Sequence, residues 1–120
     1  MIHYVSGHLD LTAEEFATHY EPLIQAAVSR GEAFVVGDAR GADEMAQRLL
    51  VGYANVTVFH MFTTPRNNLG AFPTRGGFES DTTRDAAMTE ASTTDIAWVR
   101  PGREKSGTAK NMKRRLQRSL

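Results

Sequence analysis

Arg84 stands in the first turn of a stretch, Asp81 to Glu90, that reads as a helix. An arginine there opposes the positive end of the helix dipole, and a bound anion would remove that cost. Arg84 is therefore the strongest single candidate for a ligand contact. Surface pairing with Asp81 or Asp85 is the plainer alternative. Three glycine-containing turns could supply the rest of an anion site: Ser6-Gly7-His8, Gly37-Asp38-Ala39-Arg40-Gly41-Ala42-Asp43, and Pro101-Gly102 through Ser106-Gly107-Thr108. Each turn follows an apolar run and precedes a helical pattern. Glycine allows close backbone approach, and free amides at a helix start suit phosphate. Asp38 or Asp43 could hold ribose hydroxyls and Arg40 a phosphate, whereas Asp43 could instead cap its helix.

Other chemistries find less support. The chain has no cysteine, so disulfides and thiolate catalysis are excluded. The four histidines, His3, His8, His19 and His60, lack metal-ligand spacing. His8 and His60 each follow a strand and could line a site. Neither a nucleophile elbow nor the GxGxxG dinucleotide fingerprint occurs, and no cofactor is expected.

The elements that must position these residues can be read from the apolar runs. Ile2–Val5, Ala33–Val36, Val56–His60 and Asp95–Val99 read as buried strands. A capping box at Thr12 and Glu15 opens a helix that Gly31 ends, with a kink or break expected at Pro22. Further helices are expected over Ala42–Tyr53, from an Asp81 or Thr82 cap to Glu90, and from Ser106-Gly107-Thr108 onward. Residues 61–80 show no period and read as a long loop, functional or mobile. Strands alternating with helices predict a Rossmann-like three-layer α/β sandwich with a mainly parallel sheet of four or five strands. Right-handed crossovers then gather the three turns at the carboxyl edge, where ligands of such sheets bind.

Composition fits one domain over residues 1–120: 41% hydrophobic, 23% charged and no net charge. No apolar run approaches the roughly 20 residues of a membrane span, and no signal peptide is visible at Met1–Val5. A cytoplasmic location is expected. Charge is unevenly spread: residues 100–120 carry eight bases, Arg100, Arg103, Lys105, Lys110, Lys113, Arg114, Arg115 and Arg118, against Glu104. That tail reads as a solvated helix face, an anion-binding end or a subunit contact.

These turns together resemble the SLOG superfamily, which joins the DNA-processing Smf/DprA proteins to the Lonely Guy enzymes. Gly37–Asp43 is similar to the family's second-strand turn, especially in small YspA-type members. Arg84-Asp85-Ala86-Ala87-Met88 resembles its R-[KN]-x-x-M helix start, and Pro101-Gly102 with Ser106-Gly107-Thr108 resembles P-G-G-x-G-T. The resemblance implies a Rossmann-like domain that binds nucleotides or nucleotide-derived signals. Lonely Guy members hydrolyse the N-glycosidic bond of nucleoside monophosphates with the arginine of R-K-x-x-M and the glutamate of G-T-x-x-E. Arg84 matches the first, Asn111 falls at the second, Asp85 replaces the lysine, and Arg103-Glu104-Lys105 lengthens the turn. Cleavage here would need a displaced carboxylate from Asp38, Asp85 or Glu104.

Three functions follow as expectations. The first is a binder of a nucleotide, phosphoribosyl or ADP-ribose-like ligand, acting as sensor or sequestering module through Ser6, Gly7, His8, Gly37, Asp38, Arg40, Gly41, Asp43, Arg84, Gly102, Ser106, Gly107 and Thr108. The second is a phosphoribohydrolase using Arg84 with Glu104 or Asp38. The third is a single-stranded DNA binder using the basic last helix, although no aromatic residues interleave with its charges. A homodimer or larger homo-oligomer is expected, because an open sheet of this size leaves a face incompletely covered.

Overall fold

The computed structural model describes residues 1–118. The order is β1 (Ile2–Ser6), α1 (Ala13–His19), α2 (Glu21–Ser29), β2 (Ala33–Gly37), α3 (Ala42–Leu49), β3 (Val56–Met61), β4 (Thr74–Phe78), α4 (Asp81–Glu90), β5 (Thr94–Ala97) and α5 (Gly107–Arg118). The five strands form a parallel sheet in the order β4-β3-β2-β1-β5. The chain winds outward from β1 to β4 and then returns to β5 on the other side of β1. That reversal opens a crevice at the carboxyl ends of β1 and β5.

Alternation along the strands divides the core in two. Val5, Val36, Val58 and Ile96 face Phe16 and Ile24 of α1 and α2 and Ala42 and Ala46 of α3. Tyr4, Val35 and Phe59 face the opposite way, against Met88 of α4. The result is a three-layer α/β sandwich of Rossmann type, and among the described residues no helix is long and apolar enough to cross a membrane.

Local signals account for the helix ends. The Thr12 hydroxyl accepts from the Glu15 amide at 3.1 Å, and Glu15 returns the bond to the Thr12 amide at 2.9 Å. The expected interruption falls at Tyr20, with Pro22 in the first turn of α2, where its missing N–H costs no helix bond. Gly31 follows α2 at φ +72°. Ser80, rather than Asp81 or Thr82, caps α4, accepting from the Thr83 amide at 3.1 Å. α3 ends at Leu49 instead of reaching Tyr53.

The segment 61–80 departs most from its expected form. It contains β4, an edge strand whose Thr74-Arg75-Gly76-Gly77-Phe78 carries no apolar run because most of it faces solvent. A Cβ on Gly76 would overlap the His60 ring, so the glycine lets β4 close onto β3. The preceding residues are pinned. Gln47, fully buried, donates Nε2 to the carbonyls of Gly37 (2.9 Å) and Asn67 (3.2 Å) and accepts the Leu69 amide at 2.9 Å. The Asn68 side chain closes two further bonds onto Phe72, whose ring enters the α3 side of the core. This loop fills the place a crossover helix normally takes.

Gln47→Ala strands the buried Gly37 carbonyl and two partly buried backbone groups of the loop, so it should destabilise the fold by about 2 kcal/mol. Chemical denaturation measures that loss, and a change below 1 kcal/mol would show that the loop is not held by this amide.

Candidate functional site at the carboxyl edge

The three turns converge. A cavity of about 320 Å³ at the carboxyl edge is lined by Ser6, Gly7 and His8 after β1, Gly37, Ala39 and Asp43 around β2 and α3, and Ser106, Gly107 and Thr108 at the start of α5. Arg84 and Asp85 of α4 complete its wall, together with Tyr4, Arg66 and Asn111. Arg40, Gly41, Gly102 and Glu104 do not line it, and Asp38 lies behind it in a neighbouring depression.

The glycines of the first two turns serve packing within the protein. Side chains at Gly7 and Gly37 would collide with Ala42 and Tyr20 and with Asp43, respectively. Gly41 sits at φ +74°, where a Cβ would strike the carbonyls of His8 and Leu9. These contacts draw α3 hard against the end of β1. Around Gly102 and Gly107 the space is open.

Asp38, at the end of β2, is 1% exposed. Arg66 donates to its Oδ2 from the backbone amide (2.8 Å) and from Nε (3.2 Å), and to Oδ1 from Nη2 (2.8 Å). Arg84 Nη1 adds a bond to Oδ1 at 2.8 Å. Burial pushes this carboxyl up, but the Arg66 hydrogen bonds and the two guanidinium charges outweigh it and hold it below its ordinary value. Arg84 is itself 6% exposed, with Asp85 on its Nε and Nη2 (3.3 and 3.0 Å) and Asp81 at 3.4 Å. It thus pairs with both expected carboxylates, but as a buried guanidinium that bridges Asp38 in the interior to Asp81 at the surface.

A second polar group sits deeper. Asn111 donates Nδ2 to the Tyr4 hydroxyl at 2.9 Å and accepts from Arg114 Nη1 at 2.7 Å. Burial, then the charge of Asp85, raise the Tyr4 hydroxyl well above its ordinary value, so Tyr4 keeps its proton. Where the family resemblance implies a carboxylate, this pocket presents an amide tied to a tyrosine. Of the three displaced acids considered, Asp85 reaches the cavity wall. Asp38 is consumed by its arginines, and Glu104 is exposed, accepting the Gly102 amide at 3.0 Å.

His8 lines the cavity and His60 does not; the His60 ring lies under β4, with Nδ1 3.0 Å from the Met61 carbonyl. Burial, then the charges of Arg103 and Arg100, lower His8 below its ordinary value. Its Nε2 accepts the Arg100 amide at 2.9 Å, which leaves the ring hydrogen on Nδ1. The turn after β5 is clamped to the turn after β1: Arg100 grips Glu15 at 2.6 and 2.9 Å and Asp10 at 3.2 Å, and Arg103 reaches Asp10 at 3.4 Å. Those hydrogen bonds, from Arg100 and then from the Thr12 amide, lower Glu15 to about 2.

Tyr4 and Arg66 were not among the candidates from sequence. Tyr4 precedes the first turn on a strand, where a tyrosine reads as core. Arg66 is a single arginine in the segment without period, and only that segment's unusual length drew notice. Ser6, a candidate, carries a distinctive mark: its residue is 5% exposed, its Oγ is buried, and among the described residues it has no hydrogen-bond partner. Among the described residues no group of three or more His, Cys, Asp or Glu could hold a metal ion.

No family model matches the chain, and no curated protein matches it. Among solved structures, DNA processing protein A from Helicobacter pylori, described for a single-stranded DNA binding mode, aligns with 98% of this chain at a TM-score of 0.72 and 18% identity. This chain spans 61% of that chain's length. The likeness establishes a Rossmann-type fold.

Asp43 yields a pH test. Burial pushes its carboxyl from 3.8 up to about 6, against the opposing pull of Arg84 and the Ala39 amide. The folded chain then keeps a proton that the unfolded chain has released. Stability falls as pH rises from 3.8 to about 6 and stays lower above. Asp43→Asn keeps an oxygen for the Ala39 amide and removes this loss. It should exceed the parent in stability at neutral pH by an amount on the order of 3 kcal/mol. The gap should close near pH 4, and thermal melts across pH 4–8 would show it; a gap independent of pH refutes the assignment.

Proposed function

We propose that this protein binds a phosphate-bearing, nucleotide-type ligand in the carboxyl-edge cavity. The observation that carries the reading is the buried, unpartnered Oγ of Ser6, a residue that lines the cavity together with the start of α5. A buried hydroxyl without a partner is costly, and a ligand oxygen would satisfy it. The start of α5 supplies the complementary half. Its first-turn amides lack partners within the helix, Ser106 Oγ takes only that of Ala109, and no acidic residue stands in that turn. Asp43 and Asp85, on the walls contributed by α3 and α4, suit the hydroxyls of a sugar. The Asn111 amide cannot stabilise the positive charge of glycosidic cleavage, which favours binding over hydrolysis.

Single-stranded DNA is the second reading, favoured by the likeness to a protein described as binding it. On α5, Lys110 and Lys113 are exposed. Arg115 and Arg118 instead turn back onto the protein, Arg115 to Asp95 at 3.0 Å and Arg118 to the Thr89 carbonyl at 3.1 Å. Self-association belongs to the same proposal, and a light-scattering mass of one chain would oppose it.

The test is calorimetric titration with nucleoside 5′-monophosphates and the matching nucleosides. The monophosphates should bind and the nucleosides should not. Ser6→Ala should weaken binding about tenfold, the equivalent of one net hydrogen bond. Equal binding of nucleoside and monophosphate, or an unchanged affinity in Ser6→Ala, refutes the site. A gel shift that is lost in Lys110→Ala/Lys113→Ala, alongside no monophosphate binding, selects the DNA reading.

A further inference from the structure

The cavity does not end at Arg66. A second depression of about 330 Å³ adjoins it, formed by Leu9, Asp38, Ala39, Arg40, Arg66 and Asn67. Leu9, Ala39 and Arg66 line both, so the two spaces share one wall, built from the turn after β1, the turn between β2 and α3 and the β3–β4 connection. The charge of this extension is biased. The Asp38 carboxylate already accepts four hydrogen bonds from Arg66 and Arg84, which leaves it no acceptor capacity to offer. Arg66 uses Nε and Nη2 on Asp38 and Asp81, and its Nη1 has no partner among the described residues. Arg40 is exposed and likewise has no partner among the described residues. Leu9, 53% exposed, offers an apolar shelf beside these two donors.

We infer that the ligand is longer than one nucleotide: its second phosphate crosses the shared wall at Arg66 and Arg40, and its second sugar or base lies on Leu9. The inference rests on the nucleotide reading of the cavity and adds to it the class of ligand, one with two phosphates in series. A free dinucleotide and the 5′-phosphorylated end of a DNA strand share that chemistry. An arginine is suited to both, since its guanidinium meets a phosphodiester with paired N–H donors.

The experiment compares thymidine 5′-monophosphate, pdTpdT and a 5′-phosphorylated ten-nucleotide oligothymidylate, with the adenine series in parallel, on the parent chain and on Arg40→Gln. The dinucleotide should bind about tenfold more tightly than the monophosphate. Arg40→Gln, at an exposed position outside the cavity, should remove most of that advantage and leave the monophosphate affinity unchanged. A decamer held as tightly as the dinucleotide, with the same Arg40 dependence, identifies a strand end. A decamer excluded while the dinucleotide binds identifies a free dinucleotide. The inference is overturned if dinucleotide and monophosphate bind equally, or if Arg40→Gln weakens both alike. If neither monophosphate nor dinucleotide binds, the nucleotide reading itself falls; monophosphate binding without a gain removes the extension alone.

Discussion

The Asp38 carboxylate is the point on which the rim of this molecule is assembled. It sits at the end of a central strand, and the two arginines that satisfy it come from distant parts of the chain: Arg66 from the connection between β3 and β4, and Arg84 from α4 on the other face of the sheet. A charge buried alone in such a place is prohibitively costly, so each arginine is held where its partner requires. The guanidinium of Arg84 is thereby placed in the cavity wall without freedom to swing. The loop that carries Arg66 is drawn across the sheet edge and becomes a wall shared by two cavities.

The opposite side of the rim is built from smaller parts. The Tyr20 hydroxyl donates to the Ser6 carbonyl at 2.8 Å and accepts the Trp98 amide at 3.0 Å, bridging the ends of β1 and β5 where the sheet order reverses. Arg100 then ties the turn after β5 to Asp10 and Glu15 at the surface. Surface ion pairs contribute little singly. Here one guanidinium holds two carboxylates and a carbonyl, so its effect is to fix geometry. With both turns fixed, Ser6 and the start of α5 border the same space, whose walls mix hydrogen-bond donors with carboxylates.

The fold was largely legible because its local rules agree. Buried parallel strands read as apolar runs, and Thr12, Pro22 and Gly31 each marked a helix boundary for a reason internal to the chain. β4 carries no sequence signal because an exposed edge strand needs no apolar face, and its Gly76 answers to the His60 ring rather than to any pattern along the sequence. The site was legible in part. Three turns with glycine and a helix-start arginine pointed to one rim, and Ser6, His8, Asp43, Arg84 and Ser106–Thr108 line the cavity. Arg40, Gly41, Gly102 and Glu104 fall outside it, because a turn has an inner and an outer side that sequence spacing does not distinguish. Tyr4, Arg66 and Gln47 carry no local signal at all.

The alternation of elements, and the sheet edge to which the glycine-rich turns belong, follow from local patterns along the chain. Strand period, capping and crossover handedness are properties of short stretches and of chirality. The tertiary structure alone decided which polar groups meet: that Asp38 is spent on Arg66 and Arg84, that Asn111 is bound to Tyr4, and that Ser6 Oγ is left without a partner. Those outcomes depend on separations of 28, 46 and 107 residues along the chain. Only packing, which sets distance and excludes water, can bring such groups within a hydrogen bond of one another.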